Sequence, residues 1–286
     1  MRGLVIALLA ALLPIAAPAA AKPADELIEI AGGKPVTLRP DRAYLMFRVP
    51  QQAGVRPLEP LLMRVPNPEE IAAYEAARAE AFAKALPGLT KTYERALARY
   101  RQEGAEAGPA PAPPALETFA FAWDAVANLQ DVDFGRHFVK TPTEETFLVE
   151  ALPGDYVLYG FTPSTGLPRL MVCMCLGTVG FSARPGEVTD LGHLVSDFAY
   201  QTSSKAPELA GRAGYAATVR AAQPDSSMPQ ALAQARIVPA AYQAVGRFFT
   251  PNAVNIGRLV PVPGVLDYAG GTVIDAATGQ TVPDNF

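Results

Sequence analysis

Two turns of the same kind divide the centre of the chain and constrain its fold more than any other feature. Pro153-Gly154-Asp155 and Pro185-Gly186-Glu187 each separate two apolar runs, and the turns lie 32 residues apart. Pro-Gly turns between apolar runs of strand length are hairpin signals. The centre is therefore predicted to be β-rich, with two similar hairpins. Two copies are too few for a solenoid, which needs at least about three repeats.

Further apolar runs predict strands before and after these turns. Residues 43–49 and 61–65 are each followed by a proline, and residues 118–124 alternate aromatic with small or polar side chains. Residues 170–183 are apolar on both faces, which is typical of a central strand covered on both sides. We expect the second cover to come from the helical insert or the C-terminal tail.

A helical insert is predicted over residues 68–103. Asn67 can cap the helix, Pro68 suits its first position, and apolar residues recur at helical spacing. Pro87-Gly88 interrupts the pattern, so we expect two helices or a broken hairpin. The aromatic side chains of the insert are interpreted as packing residues. Residues 104–114, rich in Pro and Ala, are predicted to be an exposed linker.

The N-terminus has the three parts of a secretory signal peptide over residues 1–21. Arg2 precedes an apolar run over residues 4–13, and Ala19-Ala20-Ala21 fits a cleavage site before Lys22. The apolar run is about half of the ~20 residues needed to cross a bilayer. We therefore expect a protein exported to the periplasm or the extracellular space, soluble after signal cleavage and without a transmembrane segment in the mature chain.

The predicted strands form one β domain over residues 22–197, interrupted by the insert and the linker. Residues 198–286 contain many prolines and glycines between short apolar runs. They are predicted to be an irregular C-terminal extension.

The turn chemistry carries a resemblance to a known family. A Pro-Gly-acidic turn followed by residues 156–160 (Tyr-Val-Leu-Tyr-Gly), together with residues 177–192, is similar to the prealbumin-like (transthyretin-like) β-sandwich modules of secreted bacterial proteins. The resemblance covers roughly residues 35–65 and 117–197. It implies an antiparallel prealbumin-like or Ig-like β-sandwich. Because a fold hosts many functions, it implies no activity.

Charge and motifs exclude several classes of function. The net charge is −4 and no basic cluster occurs, which argues against nucleic acid or an anionic membrane surface as a partner. The sequence also lacks a Gly-x-Ser-x-Gly elbow, a His-Glu-x-x-His motif, a phosphate loop and a dinucleotide-binding fingerprint.

Four residues are candidate metal ligands: Cys173, Cys175, His137 and His193. With nearby methionines they could bind zinc or copper(I). Two other interpretations are open, namely that the cysteines are small buried hydrophobes or that they form a local disulfide. In a regular strand their Cβ atoms would lie roughly 6–7 Å apart. A disulfide needs about 3.5–4.5 Å, so it would require a kink in the strand.

These observations predict a non-catalytic protein of the cell envelope with a structural or protein-interaction role and no cofactor. Its partner is an unidentified envelope protein or surface ligand, bound at a sheet edge or at the helical insert. The alternative is a periplasmic protein that binds zinc or copper through the two cysteines and histidine. A secreted hydrolase that uses His137 or His193 comes third.

Overall fold

The computed structural model describes eight stretches of the chain: residues 27–51, 58–104, 108–122, 128–162, 171–197, 215–223, 228–248 and 255–285. The predicted signal peptide lies outside the described residues, as do residues 198–214 of the C-terminal part.

The described residues form one α-helix and sixteen strands. The helix, α1, is Pro68–Glu103. The strands are β1 (Ile28–Glu29), β2 (Ala43–Pro50), β3 (Glu59–Arg64), β4 (Leu129–Asp131), β5 (Val139–Lys140), β6 (Glu144–Ala151), β7 (Gly154–Thr162), β8 (Val172–Cys173), β9 (Thr178–Ala183), β10 (Val188–Asp197), β11 (Tyr215–Arg220), β12 (Ile237–Pro239), β13 (Gln243–Val245), β14 (Asn255–Leu259), β15 (Leu266–Ala269) and β16 (Thr272–Asp275). The prediction of a mainly β protein with a helical insert is confirmed, as are strands at residues 43–49 and 61–64.

The strands belong to a large mixed sheet and one separate hairpin. The main path of the sheet is β1-β6-β2-β10-β11-β14-β8-β7-β3-β4, and β15 pairs with β16. The prediction of purely antiparallel pairing is wrong, because β10 is parallel to both β2 and β12, and β14 is parallel to both β11 and β8. Turn residues reveal only hairpin neighbours. Parallel partners are joined by long connections that leave no local signal.

Two apolar cores lie on opposite faces of the central strands. In β2, Leu45 and Phe47 point into the larger core, whereas Tyr44 and Met46 point into a smaller one. Neighbouring β6 divides in the same way, with Phe147 in the larger core. Successive side chains of a strand point to opposite faces, so each of these strands is buried on both sides.

The predicted long strand at residues 170–183 is wrong. Residue 170 lies outside the described residues, and the rest divides into β8, a turn and β9. The turn ends at Gly177, which has a φ of +118° that favours glycine. The Tyr268 hydroxyl donates to the Gly177 carbonyl at 3.0 Å, and a Cβ at Gly177 would overlap the Val273 side chain. A distant segment therefore fixes this turn, and apolar periodicity cannot reveal it.

The C-terminal part is not an irregular extension as predicted. Strands β11 to β14 join the main sheet, and Leu259, Val262 and Tyr268 belong to the larger core. Leu232 belongs to the smaller core. Of the tail and the insert, from which we expected the second cover of residues 170–183, the tail therefore contributes to both cores, alongside residues from earlier in the chain. Strands of three to six residues between prolines and glycines are too short to give a clear periodic signal.

The insert is one helix of 36 residues, not two. Pro87 removes one backbone donor, which usually kinks a helix without ending it when good helix formers lie on both sides. None of the described residues of α1 is buried. No helix within the described stretches combines the length and apolarity needed to cross a membrane.

The aromatic stretch at residues 118–124 does not form the predicted strand. Leu116–Thr118 is a short 3₁₀ turn, residues 119–122 are irregular, and the rest lies outside the described residues. The alternation of aromatic residues has another cause, which is contact with α1.

Candidate interaction surface

The first turn of α1 is held by local hydrogen bonds. The Glu70 amide donates to Asn67 Oδ1 at 2.8 Å, and the Asn67 amide donates to Glu70 Oε2 at 2.9 Å. This capping box satisfies backbone donors that the first helical turn leaves free. Pro68 follows the cap, where its missing N–H is not needed. These bonds therefore fix the start of the helix at Pro68.

An ion pair joins this turn to the sheet. Arg64, at the end of β3, donates to Glu70 through Nη2 at 2.6 Å and Nη1 at 3.0 Å. The Arg64 side chain is 5% exposed and that of Glu70 is 21% exposed. The hydrogen bonds from Arg64 lower the pKa of the Glu70 carboxyl. A two-bond contact of this kind fixes orientation as well as distance, so the base of the helix is anchored to the sheet.

The chain after α1 returns along the helix and forms a hairpin with it. The Arg78 guanidinium donates to the carbonyls of Leu116 at 2.7 Å, Glu117 at 3.0 Å and Phe119 at 3.3 Å. Two ring contacts extend this interface: Tyr74–Phe121, with centroids 5.8 Å apart, and Phe82–Phe119, at 5.4 Å. We call α1 together with residues 108–122 the helical hairpin.

The returning chain contacts the helix far from its C-terminal end. Arg78 lies 26 residues before the helix cap Gly104, or about 39 Å along the axis at 1.5 Å per residue. Residues 104–114, predicted as a free linker, therefore connect two parts of one structure.

A second apolar stripe runs along α1 on another side from Tyr74 and Arg78. Its members alternate spacings of four and three residues over 29 residues, as in a coiled-coil seam. They are Ala72, Ala76, Ala79, Ala83, Leu86, Thr90, Tyr93, Leu97 and Tyr100. We call this stripe the seam. Its first five members are exposed, Leu86 by 38%, and the last four are half-buried.

The helical stripe predicted from the sequence joins Tyr74 and Phe82, which pack against the returning chain, to Tyr93, Leu97 and Tyr100, which belong to the seam. A search for a 3.5-residue repeat within residues 68–103 would have found the seam. Its exposure could not be foreseen, because the sequence does not show that α1 stands apart from both cores.

The two candidate cysteines form a disulfide with each other. Their Cα atoms are 5.2 Å apart, and Cys173 and Cys175 are 0% and 6% exposed. The chain turns away from β8 after Met174, where the Gly177 amide donates to the Met174 carbonyl at 3.2 Å. This departure from the strand brings the two sulfur atoms together. Of the three interpretations, the structure shows the disulfide, and neither sulfur is then a free thiolate ligand.

His193 is part of a charged network on β2, β6 and β10. Its Nε2 lies 2.7 Å from Glu144 Oε2, and Glu144 Oε1 lies 3.9 Å from Nε of Arg48. Arg48, 2% exposed, donates to both oxygens of Asp190 at 2.8 and 3.1 Å. The network therefore runs from half-buried His193 to a fully buried ion pair.

A bulge in β10 makes this network possible. The pairing with β2 shifts between Asp190 and His193, and Gly192 has a φ of +72°. Its amide donates to Asp190 Oδ1 at 2.9 Å, and a Cβ there would overlap the Arg220 carbonyl. The extra residue brings Asp190 and His193 to the same set of partners, although they are three positions apart in the strand.

The neighbouring Tyr242 is neutral in this environment. Its hydroxyl donates to the Leu191 carbonyl at 2.7 Å. Burial of the hydroxyl, together with the nearby charge of Asp190, raises the pKa of Tyr242. The phenol therefore acts as a structural donor.

The four candidate metal ligands lie in three places. The cysteines bond to each other, His193 pairs with Glu144, and His137 is exposed in the loop before β5. Across the described stretches, no three His, Cys, Asp or Glu side chains form a group that could hold a metal ion. No Ser, Thr or Cys described by the structure hydrogen-bonds to the His193 ring. Metal binding and hydrolysis stay predictions.

Comparison of the chain with protein-family models, with characterised proteins and with solved structures found no match.

Proposed function

We propose that this chain is an exported, non-catalytic protein of the cell envelope that binds another protein through its helical hairpin. Export rests on the signal peptide predicted over residues 1–21. The prealbumin-like sandwich is part of the same proposal and rests on turn chemistry alone.

The observation that carries the proposal is a 36-residue helix without a buried residue and with an apolar seam along one side. Most helices in proteins are stabilised by packing an apolar face against a core. The seam of α1 packs against neither core. Ile71 and Leu86 remain 50% and 38% exposed. Exposed apolar surface of this kind is typical of sites that bind proteins, and a helix is a common binding element.

The fixed orientation of the hairpin on the sheet favours binding. The capping box and the Arg64–Glu70 pair fix where α1 leaves the sheet, and Arg78 fixes the returning chain. A surface that is already ordered loses less conformational entropy when a partner docks.

Metal handling is the alternative proposal. It requires Cys173 and Cys175 in the reduced state, since thiolates, not disulfides, bind zinc and copper. The disulfide therefore favours the interaction role.

The proposal is tested by site-specific photo-crosslinking in the producing cell. A photoreactive side chain at Ala83, in the seam, should give a covalent adduct with a protein. The same side chain at Ala98, which is exposed on another side of α1, should give little. N-terminal sequencing of the adduct should place the start of this chain at or near Lys22. Equal labelling from both positions, or adducts only with full-length chain in the cytoplasm, would contradict the proposal.

A further inference from the structure

A groove of about 1000 Å³ lies beside the smaller core, and no described residue of the helical hairpin lines it. One wall is formed by residues 33–38, between β1 and β2, and the other by residues 230–236, before β12. Val36 and Leu38 of the first wall and Ala235 of the second pack against the smaller core. Both walls are therefore held against the sheet.

The first wall is an extended segment whose backbone is unpaired within the described chain. Val36 and Leu38 are half-buried, whereas Pro35 and Thr37 are exposed, which is the alternation of a strand. Among the residues that the structure describes, none exchanges a backbone hydrogen bond with residues 33–38. The free N–H and C=O groups of this segment are therefore open to pairing with a further strand, as at the edge of a sheet.

The second wall carries side-chain amides on an ordered backbone. The Ala233 amide donates to the Gln230 carbonyl at 3.1 Å, and the Val188 amide donates to the Arg236 carbonyl at 2.9 Å. The side chains of Gln230 and Gln234 are exposed, and no described residue hydrogen-bonds to either side-chain amide. A glutamine amide offers both a donor and an acceptor, which are the groups that a polypeptide backbone also needs as partners.

The groove is positively charged, although the chain as a whole carries a net charge of −4. Lys34 and Arg236 line the groove, and no acidic residue of the described chain does so. Arg236 pairs with Glu187 at 3.1 Å, but its side chain stays 72% exposed. Charge complementarity therefore favours a ligand that is negatively charged.

We propose that this groove binds an acidic polypeptide segment in an extended conformation, which pairs as a strand with residues 34–38. The site lies apart from the helical hairpin, so it goes beyond the function proposed above. In strand addition, main-chain hydrogen bonds give affinity and the alternate side chains give specificity. Here the carboxylates of the ligand meet Lys34 and Arg236.

The unpaired strand edge favours a peptide over an acidic polysaccharide. Residues 34–38 extend about 17 Å at 3.3 Å per residue, so they can pair with about five residues of a ligand strand. A polysaccharide has no row of backbone N–H and C=O groups at this spacing. No aromatic side chain in the described part of the chain lines the groove, so a sugar ring has no flat surface to stack on.

Binding is measured with the mature protein and a short dye-labelled peptide in which glutamate alternates with valine. Fluorescence anisotropy should give a dissociation constant of about 100 µM or below. A peptide with lysine in place of each glutamate should bind at least about tenfold more weakly. Absence of saturable binding of the glutamate peptide at about 1 mM would overturn the proposal.

Two N-methylated forms of the peptide test the backbone pairing. Successive amides of a strand point to opposite edges, so methyl groups on one alternate set block pairing with residues 34–38. That set should weaken binding at least about tenfold, and the other set should weaken it much less. Equal effects of the two sets, or no effect of either, would show that the ligand does not add as a strand.

Charge reversal locates the site. Lys34→Glu with Arg236→Glu should raise the dissociation constant of the glutamate peptide at least about tenfold. The matched Lys91→Glu with Arg95→Glu makes the same change in net charge on α1 and should leave it within about twofold. Melting temperatures show whether the variants fold, and Lys34→Glu alone, which breaks no described ion pair, should still weaken binding. Equal weakening by the two double variants would contradict the groove as the site.

Alginate, an acidic polysaccharide, separates the two kinds of anionic ligand. It should displace the glutamate peptide only weakly. Binding of alginate that Lys34→Glu with Arg236→Glu abolishes, together with no binding of peptide, would make the groove a carbohydrate site and overturn the proposal. Cross-linking from Ala83 to a protein in cells does not depend on the groove, so failure here and failure of the proposed function are distinguishable.

Discussion

The sheet and the helical hairpin are held together by different kinds of interaction. In the sheet, apolar side chains from strands far apart in the chain are fully buried, and the Arg48–Asp190 pair is buried among them. In the hairpin, the contacts are a cap, exposed or half-buried salt bridges, one arginine that reaches the returning chain, and two ring contacts between partly exposed side chains. The difference implies that the sheet sets the stability of the protein. Substitutions on the surface of the hairpin should therefore have little effect on folding.

The largest expected effect comes from a phenylalanine in the larger core. Phe47 is 0% exposed and stacks on Phe147 with centroids 5.3 Å apart. Phe47→Ala should lower the free energy of unfolding by about 3–5 kcal/mol in urea titrations. The matched Phe82→Ala in the hairpin should lower it by about 1 kcal/mol or less, since Phe82 is only half-buried. Equal losses would show that the hairpin is part of the same cooperative core.

Removing the partner of a buried charge should lower the free energy of unfolding nearly as much. Asp190→Ala removes the carboxylate that accepts both short bonds from the buried Arg48 guanidinium, with Glu144 still 3.9 Å away, and loss of such a buried partner typically lowers stability by about 3–5 kcal/mol. Replacing both residues, as Arg48→Met with Asp190→Leu, should cost less than the single change because no isolated charge remains. In the hairpin, Glu80→Ala removes an exposed pair with Lys84 and should cost about 0.5 kcal/mol or less. A double variant less stable than Asp190→Ala would refute this account.

The disulfide should have an intermediate effect. Because it closes a loop of only three residues, Cys173→Ala with Cys175→Ala should lower stability by about 1–2 kcal/mol. Chelators should leave the melting temperature of the oxidised protein unchanged. A rise in melting temperature when zinc is added to reduced protein, reversed by a chelator, would instead support the metal-binding alternative.

The smallest expected effect is a pH dependence at the base of the hairpin. The folded-state pKa of Glu70 is lowered, so its pair with Arg64 stabilises the fold above the ordinary glutamate pKa of about 4.3. That contribution is lost as the pH falls through the lower folded-state pKa. Wild type should therefore exceed Glu70→Gln in stability by up to about 1 kcal/mol at pH 7, and the difference should vanish in acid. Glu69→Gln, in the same turn but not bonded to Arg64, is the control; a matching pH-dependent difference there would exclude the Arg64 pair as its cause.

Local signals were predictable from the sequence, and contacts between distant segments were not. The cap at Asn67, the bounds of the insert and the turns at Gly154 and Gly186 depend on a few neighbouring residues. The parallel partners of β10 and the turn at Gly177 depend on segments tens of residues away. Residues 170–183 show the difference. Their sequence predicts one buried strand, whereas in the structure a contact from Tyr268 holds a turn at Gly177.

The candidate site was predictable in part for the same reason. The insert was predicted as one of two binding surfaces. A disulfide between Cys173 and Cys175 was one of three interpretations of the cysteines. A straight strand keeps the two side chains apart, so the sequence alone did not single out the disulfide. The Arg48–Asp190 pair was missed because a bulge and strands β2 and β10, about 140 residues apart, are both needed to form it.

Closure of the helical hairpin depends on one side chain of α1. The Arg78 guanidinium donates to the carbonyls of Leu116, Glu117 and Phe119. Every residue carries a backbone carbonyl whatever its side chain, so substitutions within residues 116–119 leave these acceptors in place, whereas loss of the guanidinium removes all three bonds at once. The returning chain can therefore vary in sequence here, and the helix cannot vary at this one position.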